Sequence, residues 1–141
     1  MRTIINDRAR DEEVCRWVSE KVETAYEAGN QGIAVELDGR LVAGVLLNDF
    51  NGENVFAHLR VDTPIGMTRP FLNEVFDYVF HRIGAKRMTA PCVQTSQKAM
   101  WLLLRMGFQC EAILRDFCKS GHLYFMVMWP DKCKYLENNH G

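Results

Sequence analysis

His58 stands in the run Asn54–Val61, where Val55, Ala57, Leu59 and Val61 alternate as the apolar face of a strand. The imidazole therefore projects to the opposite face, together with Arg60. Imidazole titrates near neutral pH, which makes His58 a candidate general base. Tyr124, in the aromatic stretch 122–128, is the candidate acid. The strand is followed by Asp62-Thr63-Pro64-Ile65-Gly66-Met67-Thr68-Arg69-Pro70, and a proline suits the first turn of a helix. A helix that follows a strand turns its N-terminal N–H groups toward the end of the sheet, so this loop is a natural anion site. Thr68 offers it a hydroxyl and Arg69 a charge; an arginine at a helix start opposes the macrodipole unless an anion lies beside it. Cys92 and Cys110 carry no mark of an activated thiol. His122, beside Gly121, reads as a turn residue, and His81 favours the C-terminal dipole of its helix.

The elements that position these groups follow from periodicity. Residues 3–5 form a short first strand. From 11 to 28 the apolar positions Val14, Trp17, Val18, Val22, Ala25 and Tyr26 recur three and four apart, which predicts an amphipathic helix with Gly29 past its end. Strands at 33–37 and 41–50 flank Asp38-Gly39, a strong hairpin signal, and Asn51-Gly52 is a second one before the strand at 54–61. A helix from Pro70 to Ile83 carries Leu72, Val75, Phe76, Val79 and Phe80 on one stripe, with Gly84 as its cap. A strand at 86–92, a helix at 94–106 closed by Gly107, and a hairpin of 109–118 with 122–128 complete the chain, before a polar tail at 136–141 that is expected to fray. The fold class is α/β with a mixed sheet: an antiparallel meander followed by β-α-β-α-β and a final hairpin, in one domain spanning 1–141. The strands at 54–61 and 86–92 should be parallel neighbours joined by a right-handed crossover.

Composition narrows the function classes. The chain has 141 residues, 48% hydrophobic and 11% aromatic, enough for one buried core. With 17 basic and 18 acidic residues the net charge is −1, so no basic surface speaks for nucleic acid. No run approaches the roughly 18 apolar residues of a membrane span, and the N-terminus has no apolar signal core, so a cytoplasmic protein without a membrane partner is expected. The cysteine count is five, odd, and no C-x-x-C occurs, which reads as reduced structural thiols. The spacing of Cys118, His122 and Cys133 matches no zinc pattern, so no metal is expected.

Ser96-Gln97-Lys98-Ala99-Met100-Trp101-Leu102-Leu103-Leu104-Arg105-Met106-Gly107-Phe108 resembles the N-x-x-A-x-x-L-(Y)-x-x-x-G-F helix of the GNAT superfamily of acyl-CoA N-acyltransferases. The resemblance covers residues 31–128 and looks closest to the ribosomal-protein-acetyltransferase-like branch and to GNAT-like proteins of tailed phages. The latter is carried by Thr68-Arg69-Pro70-Phe71-Leu72-Asn73-Glu74-Val75-Phe76-Asp77-Tyr78-Val79-Phe80, Lys86-Arg87-Met88-Thr89-Ala90 and Cys133-Lys134-Tyr135-Leu136. The resemblance implies a GNAT-like fold and acetyl-CoA as co-substrate. It places the thioester carbonyl on a backbone N–H near Leu59, Arg60 and Val61, and the pyrophosphate at Thr68 and Arg69. Pantetheine would lie by Ser96 and Met100, with His58 as base. It departs from the family where the glycines of the pyrophosphate loop fall on Thr68 and Pro70, and where the usual tyrosine acid falls on Leu103.

The activity so implied is transfer of an acetyl group to an amine of a protein or small molecule by direct attack, in a host cytoplasm if phage-encoded. The acceptor site would be built by the first helix, the loop before residue 33 and the last hairpin, with Glu23, Glu27, Asp116 and Lys119. Dimers are common in the family, so a homodimer is possible. The alternative is a GNAT-fold binding protein without catalysis, phage structural or host-directed, docking through an exposed Trp101 or Trp129.

Overall fold

The computed structural model describes residues 1–22 and 24–136. Glu23 and the tail beyond Leu136 lie outside the described residues. Seven strands form one sheet: β1 (Arg2–Ile5), β2 (Gln31–Leu37), β3 (Arg40–Asn48), β4 (Asn54–Val61), β5 (Arg87–Val93), β6 (Gln109–Cys118) and β7 (Gly121–Met128). Their order is β1-β2-β3-β4-β5-β7-β6, antiparallel except for the β4–β5 pair. The meander, the parallel pair and the final hairpin are those expected. The β2–β3 turn has Asp38 at φ 50° and Gly39 at φ 84°, the double positive φ that an Asp-Gly hairpin supplies.

The strand faces sort the core into two layers. Val55, Ala57, Met88, Ala90, Met126 and Met128 meet α2 (Arg69–Asp77) and α3 (Gln97–Met106) on one side. There Phe76 stacks on Tyr135 of the C-terminal segment, with ring centroids 5.4 Å apart. On the other side Ala34 and Leu46 receive Val14, Cys15 and Val18 of α1 (Asp11–Ser19). This helix lies close because the sheet beneath it carries Gly32 and Gly44: a Cβ on Gly32 would stand 2.5 Å from Val14 Cγ1.

Three helices differ from expectation. α1 ends at Ser19, not at 28, because the carbonyl of Trp17 is taken by a side chain of β4, described below. The apolar spacing beyond it still reflects burial, since Val22 and Tyr26 pack on the α1 layer without helix. The crossover helix starts at Arg69 and widens after Asp77 into a π-helical segment, Tyr78–Arg82, in which Ile83 N–H donates to the Tyr78 carbonyl at 2.9 Å. α3 begins three residues later than expected and ends at Gly107 (φ 107°). No helix among the described residues is long and apolar enough to cross a membrane.

The close approach of α1 gives a stability test. Gly32→Ala forces Val14 aside and is expected to lower unfolding free energy by about 1–3 kcal/mol, seen as a lower urea midpoint with an unchanged denaturant slope.

Candidate active site

β4 and β5 pair only at Asn54↔Arg87, Val55↔Met88 and Phe56↔Thr89, then part. The phase of the ladder on each side explains why. Gln94 N–H donates to the His122 carbonyl at 2.9 Å, so alternation turns the N–H groups of Ala90 and Cys92 toward β7 and those of Thr89, residue 91 and Val93 toward β4. Residue 91 is Pro91, which has no N–H, so the ladder loses its next donor to β4 just past the last paired rung. On β4, Asp62 N–H donates to the Val42 carbonyl of the β3 side at 2.9 Å. By the same alternation the N–H groups of Leu59 and Val61 face the gap.

The gap opens into two adjoining cavities. One, of about 380 Å³, passes between Ala57, His58 and Leu59 of β4 and Ala90, Pro91 and Cys92 of β5, and is walled by Val22, Phe117 and Leu123. The other, of about 610 Å³, lies at the mouth between Leu59–Asp62 and the start of α3, with Lys21 and Lys98 on its rim. Ser96 lines both. It is the N-cap residue of α3, yet no side-chain hydrogen bond caps that helix, whose first-turn N–H groups face the larger cavity.

His58 is half-buried on the cavity wall, on the face shared with α1. Burial pushes its pKa below the ordinary 6.5, and the charge of Asp49 opposes that only in part. The imidazole is therefore neutral at neutral pH, the form a base needs. Cys92 lines the same cavity, but burial pushes its thiol up, and its Sγ lies 3.7 Å from the Ser96 carbonyl.

Arg60 points away from the gap. Its guanidinium, 9% exposed, forms a bidentate pair with Asp62 (2.7 and 2.8 Å) and donates to the Trp17 carbonyl at 2.6 Å and to Glu20 at 3.0 Å. It also lies 3.8 Å from the centroid of the Trp17 ring. It clamps the end of α1 onto β4, and Arg60 lines the mouth cavity together with Leu59, Val61 and Asp62.

The other sequence-derived residues are spread over the molecule. Thr68 caps α2, its Oγ accepting from Phe71 N–H at 3.3 Å, while its carbonyl accepts from Leu72. Arg69 donates to the Lys134 carbonyl at 2.7 Å and lies over the Tyr135 ring. Gly66 is committed to packing: a Cβ there would stand 2.9 Å from Ala43 Cβ. Tyr124 and Met100 line a separate groove between α3 and the β6–β7 hairpin, with Trp101, Leu104 and Ile113, and do not border the His58 cavity. Pro91, Phe117, Lys21 and Lys98 were not among the expected site residues. For Pro91 a signal existed, since a proline in an interior strand marks a missing rung.

No protein-family model matches the sequence, and no curated protein is significantly similar to it. Among solved structures, a point mutant of spermidine N-acetyltransferase SpeG from Vibrio cholerae superposes with a TM-score of 0.73 at 15% identity, covering 96% of this chain and 98% of that one. The same enzyme in complex with manganese ions gives 0.69 at 16%, covering 93% and 94%. Its dodecameric form in an intermediate state gives 0.68 at 16%, covering 97% of both. The fold is that of the GNAT N-acetyltransferases.

Two stability tests follow from the site. Arg60→Met strands Asp62 and Glu20. Both carboxylates reach water (41% and 65% exposed), so the loss should be about 2 kcal/mol, less than a fully buried pair costs. Because the folded pKa of His58 is depressed, the unfolded chain takes up the proton first as pH falls through 6.5. Stability should drop over that window down to the folded value, and thermal melts of His58→Gln should show a shallower acid decline.

Proposed function

We propose that the chain is an acetyl-CoA-dependent N-acetyltransferase with His58 as general base. The observation that carries this reading is the parting of β4 and β5 at Pro91, which leaves backbone donors and a neutral imidazole on one cavity. His58 takes the proton of the attacking ammonium. The amine nitrogen bonds to the thioester carbonyl carbon, the C–S bond breaks, and negative charge on the carbonyl oxygen is met by the Leu59 or Val61 N–H facing the gap. Once bonded to the carbonyl carbon the nitrogen is acidic and loses its second proton to water, and the leaving thiolate, since thiols of this kind have a pKa of about 8.5, takes a proton from water without a dedicated acid. Tyr124, on the far side of α3, is not needed for that step.

The donor enters by the mouth at Leu59, Arg60 and Val61. Ser96 contacts the pantetheine arm at the start of α3, and Lys98 neutralises phosphate charge beside uncapped N–H groups. The start of α2 has less to give. Pro70 has no N–H, and those of Phe71 and Leu72 are already bonded to Thr68. Thr68 and Arg69 would then contribute only to the outer part of the nucleotide. The compartment is the cytoplasm, in keeping with free thiols at Cys15 and Cys92. The phage resemblance of 68–80, 86–90 and 133–136 makes this a host cytoplasm. The exposed outer strand β6 is the natural edge for a homodimer contact.

A second reading, a non-catalytic binding module, draws on the apolar groove where Trp101, Leu104 and Ile113 are more than half exposed.

Calorimetric titration of acetyl-CoA separates the two. Binding by the wild type, weakened roughly tenfold in Lys98→Ala and less in Arg69→Ala, is the expected result. A larger loss in Arg69→Ala would move the phosphates to α2, and no binding at all would favour the module. In turnover assays His58→Gln should abolish the acid limb of the kcat/KM profile, a limb that lies below the ordinary 6.5 in the wild type.

A further inference from the structure

The far wall of the His58 cavity is made by a distorted piece of the β6–β7 hairpin. Leu114 pairs with Leu123 and Cys118 with Gly121, so residues 115–117 oppose His122 alone. This wide irregularity is held open by design of the neighbouring contacts. Asp116 adopts φ 54°, a left-handed conformation uncommon for a residue with a side chain. Its N–H donates to His122 Nδ1 at 2.9 Å. The His122 N–H donates to Gln94 Oε1 at 2.9 Å, and Gln94 N–H returns to the His122 carbonyl. Glycine suits position 121 because its φ of 101° is one that residues with a side chain rarely adopt, and a Cβ there would also displace Gln94 Oε1.

The product of this arrangement is the placement of Phe117. The phenyl group is 58% exposed, yet it forms part of the cavity wall, opposite Val22 and beside Leu123 and Pro91. Phe117 thus presents an exposed aromatic ring to a cavity with a largely apolar lining, a surface that the apolar body of a ligand would cover. The charges nearby restrict what that is. Among the described residues that line the His58 cavity Lys21 carries the one permanent charge; at the mouth Asp62 is paired with Arg60, and Asp49 acts on His58 from beyond the lining.

We infer that the amine acceptor is a primary monoamine with an apolar, aromatic-sized body, which packs on Phe117 while its nitrogen reaches His58. The inference rests on the acetyltransferase reading of this cavity. A polyamine would carry its second ammonium into apolar wall or toward Lys21, which its charge disfavours. The same apolar lining, together with Lys21, favours the neutral, nucleophilic form of the one amine that reacts, and the Asp49 charge that acts on His58 opposes this in part. Atoms balance as in any acetyl transfer: the N–C bond replaces the C–S bond, the ammonium gives one proton to His58 before attack, and the second N–H proton, acidic once the N–C bond has formed, passes through water as the thiolate is protonated from water.

The experiment is steady-state acetyl transfer from acetyl-CoA to 2-phenylethylamine and to spermidine, with acetyl-CoA binding measured separately by calorimetry. The expected kcat/KM is at least about tenfold higher for 2-phenylethylamine. Phe117→Ala should cost about tenfold, through KM, with Phe117→Leu recovering most of it. Acetyl-CoA affinity should stay unchanged in both variants. Preference for spermidine, or an unaltered KM in Phe117→Ala, overturns the inference. Acetyl-CoA binding with neither amine acetylated overturns it too, while leaving the donor cleft standing. Failure to bind acetyl-CoA removes the acetyltransferase reading and the acceptor with it.

Discussion

A single missing hydrogen-bond donor organises the site. A parallel ladder running the length of β4 and β5 would close the sheet and leave nothing but surface. Pro91 cannot supply the rung that follows Thr89, so the strands separate and each exposes one row of backbone groups to the space between them. Such groups need partners. A ligand with alternating polar and apolar segments meets that need, as the pantetheine arm of coenzyme A does. The separation also lets side chains from both faces of the sheet reach one volume: His58 from the α1 face, and the start of α3 from the other.

Holding the strands apart requires that β4 be fixed from behind. The Arg60 guanidinium does this by joining Asp62 on its own strand to the carbonyl of Trp17 and to Glu20 on α1. α1 in turn rests on Gly32 and Gly44 of β2 and β3, where there is no room for a Cβ without moving Val14, Trp17 or Val18. This network, with a buried guanidinium and carboxylates that reach water, does more than contribute to stability. It holds the last turn of α1 against β4, a registry role that charge can take.

Much of the fold was legible because it depends on local pattern. The strand 54–61 and the Asp38-Gly39 turn were read from alternation and from residues that tolerate positive φ. α1 was read too long for a physical reason. Val22 and Tyr26 keep the helical spacing of a buried stripe, but the carbonyl that ends the helix is taken by Arg60, about 40 residues further on, which no local window contains. The candidate base His58 could be found because strand alternation fixes its side. Tyr124 and Met100 were chosen by type and alignment, and they fall on the groove behind α3, since the β5–β7 pairing puts Tyr124 level with Cys92 but nearer the outer strand. Phe117 was missed because its position depends on a break in register, and Asp116 was the sole hint, as a residue type that tolerates left-handed backbone.

The break at 115–117 has one more property. These three residues lie outside the ladder that Leu114 and Cys118 maintain and all three are exposed, so Phe117, which lines the cavity, answers to it and hardly at all to the core. Exchanging Phe117 for a residue of another size leaves every neighbouring strand pair in place. In the proposed acetyltransferase the hairpin is a cassette in which one position can drift under selection for a new amine, while the scaffold proposed to bind the donor carries no share of the change.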